Sequence, residues 1–348
     1  MSTRVRLRAW GAAAVLLVLP FAVHALLGQG WVRILDFALL YILLALGLNI
    51  VVGYAGLLDL GYVAFFAVGA YCYALLASPQ FDVHWPLWAL LPAGALLAAC
   101  FGVLLGTPTL GLRGDYLAIV TLGFGEIIRI FLNNLNSPVN ITNGPQGVGL
   151  IDPLRIGPWA LERTYHVWGM DIPLVINVYF LFLAAVLLAV ALSHRLEGSR
   201  IGRAWAAIRE DEIAAASMGL NTRNLKLLAF AMGATFGGVS GGLFAGFQGF
   251  VSPESFTLQE SVMILCMVVL GGMGNIAGVA LGAVLLSVLP EALRGLGGLQ
   301  ESVLGRVWLD PSNLRLLLFG IALVLMMLLR PEGLLPAKAR QRELHERR

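Results

Sequence analysis

Few side chains in this sequence carry charged or reactive groups, and two of the charged ones lie close together inside an apolar stretch. Glu126 and Arg129 are three residues apart, so on a helix they share one face and can form an ion pair. Charged groups within membrane-spanning helices are costly and usually face a bundle interior or a water-filled path. The pair therefore predicts either a structural ion pair or part of a path for a polar solute.

Other polar residues lie near the ends or breaks of apolar segments. Glycine-rich breaks at 53–56 and 271–275 interrupt two of these segments. Broken helices often form transport sites, because their freed backbone groups can contact a substrate; simple connecting turns are the alternative. The candidate residues of such a path are Asn49, Asp59, Thr121, Glu126, Arg129 and Asn275. Gln248, Glu254 and Glu260 occupy similar positions.

The motifs of nucleotide-driven and hydrolytic enzymes are missing. A P-loop places a lysine directly after a glycine, and neither Lys226 nor Lys338 follows one. The Gly-x-Ser-x-Gly pattern around Ser240 lies in an apolar stretch that predicts a helix, whereas a nucleophile elbow requires a strand–turn–helix junction. The sequence has no His-Glu-x-x-His or Cys-x-x-Cys metal pattern. We therefore expect no catalytic site, metal or cofactor in this chain, and any ATP-driven role must draw on a partner.

The composition is that of a membrane protein. Of 348 residues, 59% are hydrophobic and 12% are charged, whereas soluble domains carry about 25% charged residues. So little charge cannot cover a water-facing surface of this size, and the deficit is explained if lipid covers most of it. The net charge of +3 gives little support to nucleic-acid binding.

Apolar segments of about 20 residues predict an all-α integral membrane protein, a polytopic bundle of eight to ten transmembrane helices. The predicted spans are 9–27, 33–53, 61–78, 86–106, 115–133, 173–193, 226–249 and 313–330. The glycine-broken segment 260–294 predicts either two short crossings or one re-entrant pair. The first span follows several arginines, so a cleaved signal peptide is the alternative to an uncleaved first helix.

Small residues recur at every fourth position in three of these segments. The stripes are Gly94, Ala98, Gly102 and Gly106; Gly238, Gly242 and Gly246; and Gly274, Gly278 and Gly282. Such stripes let membrane helices approach closely, so we expect a tightly packed bundle, as suits a transporter or a channel.

Basic residues set the orientation. Arginine and lysine concentrate in the segments that lie inside if the N-terminus is cytoplasmic. This places both termini in the cytoplasm, 134–172 outside, and 194–225 and the tail 331–348 inside. No segment between spans is long enough for a soluble domain, so 1–348 is predicted to be a single transmembrane domain.

The cytoplasmic loop 194–225 predicts a helix over about 203–218, ended by Gly219 as a C-cap. It carries both charge signs and then small residues, which suits docking into a groove on another protein; a solvated helix without a partner is the alternative. The candidate coupling residues are Arg203, Arg209, Glu210, Asp211, Glu212 and Gly219.

Five sequence segments together resemble one family of membrane permeases. They are 46–65, 112–127, 143–145, 249–256 and 268–274. They are similar to the permeases of bacterial branched-chain amino-acid ABC importers, specifically the M-type subunit. The resemblance runs from about residue 33 to 335 and is specific, because its motifs are long and mostly ungapped.

That resemblance implies partners, a location and a cargo. A homologous second permease, two cytoplasmic ATPase subunits that bind the ATP, and a periplasmic substrate-binding protein complete such an importer in the inner membrane. The segment 203–219 resembles the Glu-Ala-Ala-x-x-x-Gly loop that contacts the ATPases, although Glu212 lies one residue before the position of that glutamate. The implied cargo is leucine, isoleucine and valine, with other amino acids or urea as alternatives.

Two other classes of function compete with this interpretation. A standalone carrier or channel, ion-coupled or passive, explains the bundle and the Glu126–Arg129 pair without partners. A membrane enzyme is disfavoured, because no catalytic constellation was found in the sequence.

Overall fold

The computed structural model of this chain describes residues 3–112, 114–156, 159–161, 165–167, 170–304 and parts of 317–335. The helices are α1 (Thr3–Leu27), α2 (Gln29–Asn49), α3 (Val63–Leu76), α4 (Leu87–Thr109), α5 (Asp115–Asn134), α6 (Leu174–Glu197), α7 (Arg200–Glu210), α8 (Glu212–Ser217), α9 (Thr222–Gln248), α10 (Leu258–Gly271) and α11 (Ile276–Leu304). A π-helical turn, Ile50–Tyr54, continues α2. The predicted all-α membrane architecture is confirmed.

Membrane-spanning character is clear in five helical segments of the described chain, which are long and apolar enough to cross a bilayer. They are Gln29–Tyr54, Leu87–Thr109, Leu174–Glu197, Thr222–Gln248 and Pro253–Gly271. The segment 260–294 forms two helices, α10 and α11, joined by a turn at 272–275. They pack antiparallel, since Gly271 meets Gly278 and Gly282 meets Met267. A helical hairpin is the form of both predicted alternatives, two short crossings and one re-entrant pair, so the number of crossings stays a prediction of eight to ten.

The core of the bundle is the contact of α3 and α4 with α9. The predicted stripe on α4 is buried along its whole length. A Cβ added at Gly238 on α9 would lie 2.5 Å from the carbonyl oxygen of Gly94 and 2.7 Å from Cβ of Ala98. Glycine is therefore required where these backbones touch, and the stripes on α4 and α9 pack as their spacing predicted. Of the third stripe, Gly278 and Gly282 pack against α10, whereas Gly274 lies in the turn before α11 with a positive φ of 85°, so the prediction of a helical stripe there was wrong at Gly274.

The loop helix predicted at 203–218 is corrected to two helices, α7 and α8, separated at Asp211. Asp211 has an extended backbone, and its side chain accepts hydrogen bonds from the N–H groups of Ile213 and Ala214. An aspartate that caps a new helix competes with continuation of the old one. Gly219 ends α8 with a positive φ of 87°, which confirms the predicted C-cap.

Short strands occur only outside the bundle in the described part of the chain. They are β1 (Ala77–Ser78), β2 (Val83–His84), β3 (Arg155–Ile156), β4 (Trp159–Ala160), β5 (Tyr165–Val167) and β6 (Met170–Ile172). They pair as three antiparallel hairpins, two of them in the segment 134–172. Of the predicted span 313–330 only scattered helical residues are described, and most of the tail 331–348 lies outside the described residues.

Candidate functional site

Two helices of the bundle, α3 and α10, are too short to cross a bilayer as α-helices, and α10 reaches the spanning length of Pro253–Gly271 only together with the 3-10 segment before it. With 14 residues each, α3 and α10 rise about 21 Å, whereas the hydrocarbon core is about 30 Å thick. Each is preceded by a non-helical or 3-10 segment, 55–62 before α3 and 249–257 before α10. Irregular backbone at membrane depth is tolerated only where protein buries it or where it lines a water-filled cavity. These two segments are therefore the candidate path through the bundle.

Two predicted path residues hold the break before α3 in place. Asp59 Oδ1 accepts a hydrogen bond of 2.9 Å from the N–H of Gly61. Thr121 on α5 accepts one of 3.0 Å from the N–H of Leu60 through its Oγ1. Both side chains are buried. The sequence placed them in separate segments, and the structure brings them together at one break.

The two short helices also meet each other directly. The N–H of Val63, the first residue of α3, donates to Oγ of Ser261 in the first turn of α10 at 3.1 Å. Beside it, the Tyr41 hydroxyl donates to Glu260 at 3.1 Å. The hydroxyl of Tyr62 donates to the carbonyl of Gly233. Tyr41, Tyr62 and Ser261 were not predicted from the sequence. For Tyr62 and Ser261, a hydroxyl side chain shortly after a predicted helix break could have indicated a contact at that break.

The Glu126–Arg129 ion pair is confirmed, and it has a third member. Arg129 Nε donates to both carboxylate oxygens of Glu126, at 3.1 and 3.2 Å, while Nη1 donates to Glu254 at 3.0 Å. The side chains are 24% exposed for Arg129, 41% for Glu126 and 63% for Glu254. This charge cluster joins α5 to the segment before α10.

The exposed side of α5 does not suit lipid. Charged groups are costly against hydrocarbon, and α5 is not among the five apolar spans. Its exposed surface combines the charge cluster with apolar residues such as Tyr116, Ile119 and Ile127. This surface therefore presents charged and apolar groups side by side.

The last two predicted path residues hold backbone at the other end of the bundle. Asn49 Oδ1 accepts from the N–H of Gly274 at 2.8 Å. Asn275 donates to the carbonyl of Leu335 at 2.9 Å and accepts from the N–H of Ala277 at the start of α11. These contacts fasten the α10–α11 turn to α2 and to the chain near 335, a structural role.

Two of the predicted coupling residues turn inward. Arg209 Nη1 donates to the carbonyl of Gly53 at 2.6 Å. Glu212 forms an ion pair with Lys226, which is 5% exposed at the start of α9. Trp205 adds a third anchor on the same side of the loop, since its indole donates to a carbonyl of α9.

The opposite side of the loop is open. Arg203, Glu210 and Asp211 are exposed there. Beside them, Ile213 is 65% and Met218 is 85% exposed. Large apolar side chains on a water-facing loop are typical of a protein contact. The six predicted coupling residues therefore divide between anchors, caps and an outward surface.

Comparison with known proteins decides the family. Residues 30–327 match the family described as "Branched-chain amino acid transport system / permease component". The chain belongs to this permease family.

Similar proteins come from bacteria and an archaeon. The permease is 44% identical over 341 residues to the high-affinity branched-chain amino acid transport system permease protein LivM of Escherichia coli strain K12, covering 94% of this chain and 75% of that protein. A probable LivM of Methanocaldococcus jannaschii is 27% identical over 331 residues, covering 86% and 91%. The Escherichia coli LivH permease is 26% identical over 300 residues, covering 85% and 91%. No solved structure matches significantly.

The described part of the permease holds no cluster of three or more His, Cys, Asp or Glu side chains that could bind a metal ion. The three cysteines, Cys72, Cys100 and Cys266, are free thiols. Its polar groups instead bind one another at helix breaks and ends.

Proposed function

We propose that this permease is the M-type membrane subunit of an ATP-driven importer that carries leucine, isoleucine and valine into the cell. The observation that carries this proposal is its 44% identity, over 94% of the chain, to a LivM protein of a branched-chain amino acid transport system. The two broken helices at the centre of the bundle support it, because such breaks supply backbone groups to a solute within the membrane.

The energy comes from two ATPase subunits that bind the outward surface of α7 and α8. This surface presents Ile213 and Met218 beside small residues and charges. A short helix with an apolar tip suits insertion into a groove of a partner protein. The inward anchors at Arg209, Glu212 and Trp205 support this role, because a loop that transmits force must be fixed to the bundle on its other side.

A homologous second permease covers the exposed side of α5. This chain is 26% identical to a LivH permease, a second permease of the branched-chain amino acid system. The mixed charged and apolar surface of α5 suits such a neighbour better than lipid. The path for the solute then runs along the interface, past the charge cluster and the break at 55–62.

The charge cluster also suits the cargo. An amino acid carries an ammonium and a carboxylate, and Arg129 with Glu126 and Glu254 offers groups of both signs. We place the protein in the bacterial inner membrane with both termini in the cytoplasm. A periplasmic binding protein then meets the external segment 134–172.

Co-purification tests the proposal. The tagged chain is isolated from gently solubilised native membranes, and its partners are identified by mass. A second permease and two ATPases are expected. Recovery of the chain alone, under conditions that keep a known ABC importer intact, would favour a standalone carrier. Competition for uptake between labelled leucine and unlabelled amino acids or urea then defines the cargo.

A further inference from the structure

The side chain of Arg209 lies against the π-helical turn that ends α2, just before the break at 55–62. Its Nη1 donates to the Gly53 carbonyl at 2.6 Å. Its aliphatic stem covers the backbone of Gly56, where an added Cβ would lie 2.7 Å from Cγ of Arg209 and 3.2 Å from Cδ. Gly56 has a φ of +70°, which a side chain rarely adopts. One side chain of α7 thus contacts both the last turn of the π-helix and the first part of the break.

The Gly53 carbonyl suits a cation. It belongs to the final turn of the helix, where carbonyls lack partners further along the chain. The negative end of the helix dipole lies there as well, so a guanidinium is favoured both as a donor and as a charge. A hydrogen bond with a charged donor is stronger than one between neutral groups.

The contact leads onward to both short helices. Gly53 packs against the side chain of Asn49, which accepts from the N–H of Gly274 in the turn between α10 and α11. On its other side, Gly56 begins the break that continues through Asp59 to α3. Arg209 therefore contacts the end of α2, which continues through the break to α3 and is hydrogen-bonded through Asn49 to the turn after α10.

We propose that Arg209 is a positioning residue that transmits movement of α7 to the two broken helices. This inference rests on the proposed function, in which ATPase subunits move the loop 194–225. Trp205 and Glu212 fasten the loop to α9, whereas Arg209 fastens it to the end of α2. When the loop moves, the Gly53 carbonyl and the break at 55–62 move with it, and the path changes between its outward and inward openings.

The test uses the whole importer, purified through the tagged chain and reconstituted in liposomes with its binding protein. Uptake and ATP hydrolysis are measured together, which gives solute carried per ATP. Arg209→Ala should retain both ATPases and hydrolyse ATP at a rate close to wild type. Its uptake per ATP should fall about ten-fold, as expected for loss of one charge-assisted hydrogen bond. Arg209→Lys keeps a cationic donor but lacks the planar guanidinium, so its uptake per ATP should lie between those of Arg209→Ala and wild type.

Arg200→Ala is the matched control, because Arg200 is an exposed arginine of the same helix; its uptake per ATP should equal that of wild type. An unchanged ratio in Arg209→Ala would overturn the inference, as would loss of the ATPases from the purified complex, which would make Arg209 a docking residue. If the alanine variant does not accumulate, the lysine variant decides, and a wild-type ratio overturns the inference. A wild-type chain that purifies without ATPases would instead refute the proposed function.

Discussion

Replacing Gly238 by alanine should destabilise the core of the bundle. The new Cβ would lie 2.5 Å from the carbonyl oxygen of Gly94 and 2.7 Å from Cβ of Ala98. Because ordinary contact begins at 3.4 Å, α4 and α9 must separate by about 1 Å. Overpacking costs up to about 3 kcal/mol, and the better helix propensity of alanine offsets about 1 kcal/mol of it. We expect a net loss of about 2 kcal/mol in the free energy of unfolding.

The assay is the thermal unfolding of the purified chain in detergent, followed by intrinsic fluorescence. A loss of that size should lower Tm by about 4 °C or more. The control is Gly123→Ala on α5, where no atom lies within 4 Å of an added Cβ; its Tm should stay the same or rise. Equal Tm values for Gly238→Ala and wild type would refute the close contact of α4 with α9, and equal losses in both variants would refute its specificity.

Three further changes test the loop and the charge cluster. Lys226→Met breaks the ion pair between Lys226 and Glu212, so amides of α8 should exchange with deuterium faster, as measured by mass spectrometry. Ile213→Asp combined with Met218→Asp places charge on the outward surface of the loop, and the yield of ATPases that co-purify should fall at least about ten-fold. Arg129→Gln leaves two carboxylates without their cation, so uptake by the reconstituted importer should fall several-fold.

Each of these changes has an outcome that contradicts its reasoning. Unchanged exchange in α8 would mean that the ion pair with Lys226 does not hold this helix. Full recovery of the ATPases with the doubly charged loop would place the docking surface elsewhere. Normal uptake by Arg129→Gln, together with normal uptake by Arg129→Lys, would remove the charge cluster from the path.

Patterns among residues close together in the sequence were enough to predict the helices and the side-chain pairs within one helix. Hydropathy placed the main spans, small-residue spacing identified the faces that pack, and the i,i+3 spacing identified the Glu126–Arg129 pair. Gly219 was recognised as a C-cap because a glycine after a helical stretch readily adopts positive φ. Each of these features depends on residues within one or two helical turns.

Tertiary contacts decided the rest. Thr121 meets Leu60, and Ser261 meets Val63, only after the bundle has formed, so their partners cannot be read from spacing. The split at Asp211 was missed because the surrounding composition favours a helix, while a single side chain caps a new one. The sequence predicts that Arg209 lies on the surface of the loop. Its contact with the Gly53 carbonyl depends on where α2 ends in the folded bundle.

Uptake in liposomes tests the central claim most directly. The importer that purifies with the tagged chain is reconstituted with ATP on the side of the ATPases and the binding protein on the other side, and labelled leucine is followed. Uptake should require both ATP and the binding protein, and the purified chain alone should carry nothing. Uptake by the chain alone, independent of ATP, would contradict an ATP-driven permease subunit and establish an independent carrier.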